Sequence, residues 1–216
     1  KRALKLKEFL ATHPNSKARP RATELLISTH AGLGDQKLKN GDRTGVDDLL
    51  NAIDEADPTI SDQLFSGVVS QIPSNLYLRN EQSAAFKAAQ AIETKFGSDP
   101  RRLLAMASFY VAVERGDEAA RVAEQVVKIA PDLPEAHRVY ALGLHLSLRL
   151  DEAVAAYKKL LEIEPNSSAA RNSLADLDRG IGKPDEALAL YTEQLKADSK
   201  DKTAANGAIL SLLDLG

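Results

Sequence analysis

The chain is predicted to be all-α, a stack of antiparallel helix pairs, and three observations carry that prediction. Hydrophobic residues make up 44 % of the 216 positions, aromatics only 5 % and Trp none, with Ala and Leu dominating the apolar set. Such a composition suits close-packed helices better than strands, which favour Val, Ile and aromatics. Helix stop signals recur at a fixed interval: Pro131 and Pro165 stand 34 residues apart, and Ser199 follows 34 further on in a matching context. Charged residues are 27 %, and no apolar run approaches the ~18 residues of a membrane span, so the composition is that of a soluble globular chain.

The elements are expected in the following order. Lys1–Ala11 reads as a helix running into Thr-His-Pro-Asn-Ser. Pro14 and Pro58 are 44 residues apart and enclose a long helix near Ala22–Leu38 and a second near Val46–Ala56. Helices near Thr59–Gln71 and Asn80–Phe96 then flank a loop at Pro73-Ser-Asn-Leu-Tyr, and Gly97 stops the second of them. Asp57-Pro58 and Asp99-Pro100 each read as an N-cap followed by proline at the first helical position, where its missing N–H is harmless. From residue 100 onward three regular units follow, 100–133, 134–167 and 168–201, with the first helix of a fourth at 202–216.

Aligned on Pro131, Pro165 and Ser199, the apolar pattern repeats. Ala119, Ala153 and Ala187 each follow an Asp-Glu pair; Ala107, Ala141 and Ala175 recur upstream, preceded by Met106, Tyr140 and Leu174; Ala123, Tyr157 and Tyr191 share a further register. A two-helix unit of this length cannot bury its apolar face alone and must stack on its neighbours. Small Ala side chains let antiparallel helices approach to ~8–10 Å, with Tyr or Leu filling the groove beside them. These units resemble tetratricopeptide repeats, most clearly 134–167, where Asp-Glu-Ala-Val-Ala-Ala-Tyr-Lys-Lys-Leu-Leu-Glu-Ile-Glu-Pro-Asn follows the family's second-helix pattern. Gly182 and Gly216 stand where the family places its glycine between the two helices. The family's tryptophan is missing, its register being occupied by Leu103, His137, Arg171 and Ala205, and Asp178 replaces an apolar residue matched by Tyr110 and Leu144. Looser packing in the third unit is the expected consequence.

The resemblance implies a right-handed superhelical stack, an α-solenoid whose first helices line a concave groove. It makes residues 1–99 divergent repeats continuing that stack, Lys1–Ala11 being the closing helix of an earlier one; a separate N-terminal helical domain is the alternative. Carried over register by register, the groove would present three rows. Leu104, Arg138, Asn172 and Asn206 form one; Ser108, Leu142, Asp176 and Leu210 the second; Val111, His145, Arg179 and Leu213 the third. Asn side chains can pair with a peptide backbone and Arg138 and Arg179 can hold carboxylates by bidentate bonds. Family members that grip the terminal carboxylate of heat-shock chaperones use a Lys/Asn/Arg set whose registers here hold Leu104, Ser108, Leu142 and Ser173, so that ligand is not implied.

Formal charge is −3, too near neutral to point to nucleic acid. Residues 1–21 nevertheless carry seven Lys or Arg against Glu8 alone, while 42–62 carry seven Asp or Glu against Arg43. Solvated helix faces account for such runs; a basic end meeting an acidic patch on a neighbour is the sharper alternative. With no Cys, disulfides, thiolate metal sites and thiol catalysis are excluded. The four histidines do not cluster: His137 and His145 lie two helical turns apart. Gly180-Ile-Gly182-Lys183 lacks the remaining residues of a phosphate loop, and Gly32-Leu33-Gly34 lacks the third glycine of a dinucleotide fingerprint. Asp117-Glu118, Asp151-Glu152 and Asp185-Glu186 recur at the start of each second helix, as dipole and capping residues do.

No catalytic residue, cofactor or metal is therefore expected. The function expected is a protein-interaction scaffold holding a peptide or partner surface in its groove. Two alternatives stay open: the repeat portion of a larger enzyme such as a glycosyltransferase or signalling kinase, and self-assembly, because the last unit leaves Ile209, Leu212 and Leu213 without a following helix. Lys1 in place of Met is compatible with removal of a leader, and a cysteine-free chain suits cytoplasmic and exported locations alike.

Overall fold

Ala, Leu, Glu and Lys favour helices, and the computed structural model, which describes residues 1–216, contains no other regular element. Its helices are α1 (Arg2–Thr12), α2 (Arg19–Lys39), α3 (Gly45–Glu55), α4 (Asp62–Gly67), a 3₁₀ turn (Val69–Gln71), α5 (Ile72–Leu78), α6 (Gln82–Phe96), α7 (Pro100–Ala112), α8 (Gly116–Ile129), α9 (Pro134–Leu146), α10 (Leu150–Ile163), α11 (Ser168–Gly180), α12 (Pro184–Ala197) and α13 (Lys202–Leu215). Consecutive helices pack in pairs, as in an all-α solenoid. The chain divides into two compact units, Lys1–Phe109 and Tyr110–Gly216, with the boundary inside α7.

In the second unit the period holds to the residue. The first helices begin at Pro134, Ser168 and Lys202, the second at Gly116, Leu150 and Pro184. Ala119, Ala141, Ala153, Ala175 and Ala187 are fully buried, and Tyr157 and Tyr191 fill the adjacent space. Pro131 and Pro165 fall just beyond α8 and α10, where helix propagation stops. The Asp-Glu pairs lie in the first turns of α8, α10 and α12. Glu118 and Glu152 there pair with Arg115 and Arg149.

One backbone feature extends the repeat into the first unit. Asn80, Glu114, Leu148, Gly182 and Gly216 all have positive φ, at 62°, 57°, 59°, 78° and 89°. Before the first four of them a helix closes by the same long bond: the amides of Glu81, Arg115, Arg149 and Lys183 donate to Leu76, Tyr110, Leu144 and Asp178 at 2.8–3.0 Å. This is the helix-ending arrangement in which a left-handed residue reverses the chain. Gly180-Ile-Gly182-Lys183 is thus a turn between helices. The α5–α6 turn closes as the three turns after it do.

What differs there is the first helix. The expected helix at 59–71 is instead a short α4, a kink at Val68 (φ −131°) and a 3₁₀ turn, and the expected loop at 73–77 is helical, lying within α5. Pro73 sits in the first turn of α5, a position that tolerates proline. Asp57-Pro58 is likewise no helix start: Asp57 Oδ1 accepts from the Thr59 amide at 2.7 Å in a local turn, and Ser61 caps α4. Asp99 does cap α7, accepting from Arg101 and Arg102 at 3.0 and 3.2 Å.

Upstream, α2 and α3 approach closely through Gly34 and Gly45. A Cβ on either would lie 2.5–2.6 Å from the other's carbonyl oxygen. Leu26, Ile27, Leu49, Ile53, Ile72, Leu76 and Ile92 make the core of this unit. Arg102 ties it together. Its buried guanidinium donates to the carbonyls of Pro58 and Ile60 at 3.1 and 2.7 Å, pairs with Asp62 at 2.8 Å and lies 5.1 Å from the ring centres of Phe65 and Phe96. The acidic run is used within its own unit: Glu55 pairs with Lys7 at 2.9 Å and buried Asp48 with Lys37 at 2.7 Å. One residue of the basic end, Lys7, thus meets the acidic segment.

Candidate partner-binding face

On a helix, positions i, i+4 and i+7 share one side. In α9 these are Arg138, Leu142 and His145; in α11 Asn172, Asp176 and Arg179; in α13 Asn206, Leu210 and Leu213. All nine are half-buried or exposed, whereas Ala136, Ala141 and Leu144, or Leu174, Ala175 and Leu177, on the other sides of the same helices, are buried. Three successive repeats thus keep one uncovered stripe each. The predicted residues of α7 differ from one another. Leu104 is 8 % exposed and packs inward, and Ser108 is exposed.

The stripe is polar and partly tied down. Arg138 forks onto Glu135 one turn away, and this carboxylate holds the guanidinium more firmly charged. Leu142 packs on the edge of the core around Tyr157 and Leu174. Asn172 donates to Asp201 Oδ2 at 3.1 Å, leaving its own Oδ1 buried and unpartnered. Asp201 also accepts from the Ala204 amide at 3.0 Å and from Gln194 at 2.9 Å, and these bonds hold its carboxyl below the usual range. Asp176 accepts from the Tyr191 hydroxyl at 2.5 Å; burial, then that carboxylate, pushes the phenol well up. Arg179 reaches Asp214 at 3.3 Å.

The tryptophan register is filled by polar anchors. His137 is buried with Nε2 2.7 Å from the Pro131 carbonyl, and Arg171 is buried against the Pro165 carbonyl and Gln194 Oε1, the latter at 2.6 Å. Both reach six residues back to the proline that follows the preceding helix. Sequence reasoning missed Tyr191, Asp201 and Asp214 as partners of the stripe. A signal existed for Asp201, which shares its capping register with Asp99 and Ser167.

No three or more His, Asp or Glu side chains gather as metal ligands would. No helix is long and apolar enough to cross a membrane.

Paired helices, a fixed period and a repeated uncovered stripe define a helical-repeat protein. Residues 147–211 match the family model described as Tetratricopeptide repeat, which bears out the resemblance read from the sequence. No curated protein sequence matches the chain. Among solved structures, TTC0263, a thermophilic TPR protein of Thermus thermophilus, aligns over 87 % of this chain and 99 % of its own at 20 % identity with a TM-score of 0.54. YrrB, described as a TPR protein with an unusual peptide-binding site, aligns over 93 % and 96 % at 12 % identity with a TM-score of 0.60. MamA from Desulfovibrio magneticus RS-1 aligns over 82 % and 97 % at 13 % identity with a TM-score of 0.56. At these identities the likeness is one of fold.

Proposed function

We propose that the chain is a non-catalytic scaffold that holds a peptide or partner surface against the stripe of α9, α11 and α13. The observation that carries this reading is the recurrence of an uncovered, mixed polar and apolar face at one register of three repeats. Arg138 is held by Glu135 of its own helix and Asn206 is exposed, so neither side chain braces a neighbouring helix. The peptide-binding site named for YrrB supports the same use of the fold.

Arg138→Ala combined with His145→Ala tests it, because both side chains lie on α9 and neither anchors a neighbouring helix. A protein retained from cell extract by the immobilised chain is expected to be lost, with helicity and melting unchanged. Retention at full strength would sink the assignment. A second reading, self-association, is favoured by α13, where Ile209, Leu212 and Leu213 (71 % exposed) stand uncovered. Light scattering at rising concentration decides it; a constant monomer mass overturns it.

A further inference from the structure

On the side of α11 away from the stripe lies a cleft of about 480 Å³, walled by α10 and α12. Leu161, Leu174 and Leu190 make its sides, and Asp178 lines its floor. Asp178 is two residues from Asp176 and hence roughly 200° around the helix axis. The residue is only 4 % exposed, yet no protein donor hydrogen-bonds its carboxylate. At the same register the preceding repeats place Leu76, Tyr110 and Leu144, all fully buried. A carboxylate in a register otherwise held by apolar residues adds nothing to the core, and its oxygens, which keep contact with solvent, face the cleft.

We infer that this cleft is a docking site for an arginine or lysine side chain, next to an apolar residue, presented by a partner polypeptide. The carboxylate supplies the missing half of a charge-assisted hydrogen bond. The leucine walls suit the aliphatic stem that both basic side chains carry. Glu162 on α10, which pairs with Lys159 at 2.7 Å, and Glu186 on α12 stand at the same cleft, against Lys158 on α10, and Lys183 lies near Asp178 from the turn. The lining is therefore acidic overall and complementary to a cation. Burial pushes the Asp178 carboxyl up, with Lys158 and Lys183 acting against it; an incoming cation would restore its charged form. The volume takes one long side chain and a small neighbour. The cleft is open, so it cannot wrap a free small molecule as enclosed pockets of similar volume do, and the rest of the ligand must stay outside. This site is independent of the stripe and stands whether or not the stripe binds a partner.

The probe is the peptide acetyl-Ala-Leu-Arg-Ala-Leu-Ala-amide, titrated into the ¹⁵N-labelled chain at low salt, with the Arg→Glu peptide and hexylammonium as controls. Saturable shifts are expected at the amides of Leu161, Leu174, Asp178 and Leu190 with the arginine peptide and none with the glutamate peptide. Asp178→Asn should weaken binding about tenfold. Asp178→Leu should abolish it while melting higher than the parent, which shows that the variant is folded; the near-isosteric Asp178→Asn carries the test if it is not. Absence of shifts up to about 10 mM peptide, weaker than any useful affinity, or equal binding by Asp178→Leu, overturns the inference. Hexylammonium binding as tightly as the peptide would make the ligand a free amine. Self-association of the chain abolished by Asp178→Leu would make it a second copy. Either result overturns the assignment to a partner segment.

Discussion

Residues 110–216 and residues 1–109 both build their cores from paired helices, but they hold the pairs together by different means. In the second unit small residues make the contacts at recurring registers, with Ala141, Ala153, Ala175 and Ala187 fully buried, Gly143 set against Ala120, and α9, α11 and α13 beginning 34 residues apart. In the first unit the helices vary in length, α2 and α3 meet at a glycine pair, and buried Arg102 bridges two carbonyls and the carboxylates of Asp62 and Asp99. A regular repeat distributes its stability over many equivalent small contacts. Buried polar clamps occur in both units, Arg102 in the first and Arg171 with Gln194 in the second, and loss of either leaves buried groups unpaired.

That contrast can be broken most forcefully at Ala153. Replacing it with Arg puts a long charged side chain into a contact built for a methyl group, and should cost at least about 3 kcal/mol in urea unfolding followed by circular dichroism. A variant unfolding at the parent's midpoint would contradict the tight Ala register altogether. Next in size is Arg102→Met, which keeps the volume but strands the carbonyls of Pro58 and Ile60. A loss of about 2 kcal/mol is expected. No measurable loss would mean that the first unit does not depend on its clamp and that the comparison is drawn too sharply.

Most of the second unit was legible in the sequence because its signals are local and recur: proline stops, Asp-Glu starts and alanines at fixed spacing. The first unit was less so. Pro73 suggested a loop because proline usually interrupts a helix, but here it falls in a first turn, where no N–H is needed. Asp57-Pro58 imitated a cap because a local Asp turn and an N-cap use the same residue types. The break at Val68 has no compositional mark. The stripe residues of α9, α11 and α13 could be placed on one face from spacing alone. Their bonds to Tyr191, Asp201 and Asp214 could not, since these depend on which neighbouring helix faces them.

The smallest effect bears on the turn shared by both units, which is the one feature they build alike. Asn80, Glu114, Leu148 and Gly182 occupy the same left-handed position, and only the last is glycine. A non-glycine residue there bears roughly 1–2 kcal/mol of steric strain, less readily relieved in Leu than in Asn, whose short polar side chain tolerates the region. Leu148 also leaves its side chain 78 % exposed, so it contributes little packing in return. Leu148→Gly should therefore raise stability, by roughly 0.5–1 kcal/mol once the added freedom of the unfolded chain is subtracted. Gly182→Leu should lower it by a similar amount, and Asn80→Gly should change it less than Leu148→Gly does. Thermal melts of the three variants read the order directly. Equal responses at 80 and 148 would mean that the strain is set by the turn and not by the residue in it, and the two units would then differ in their helices alone.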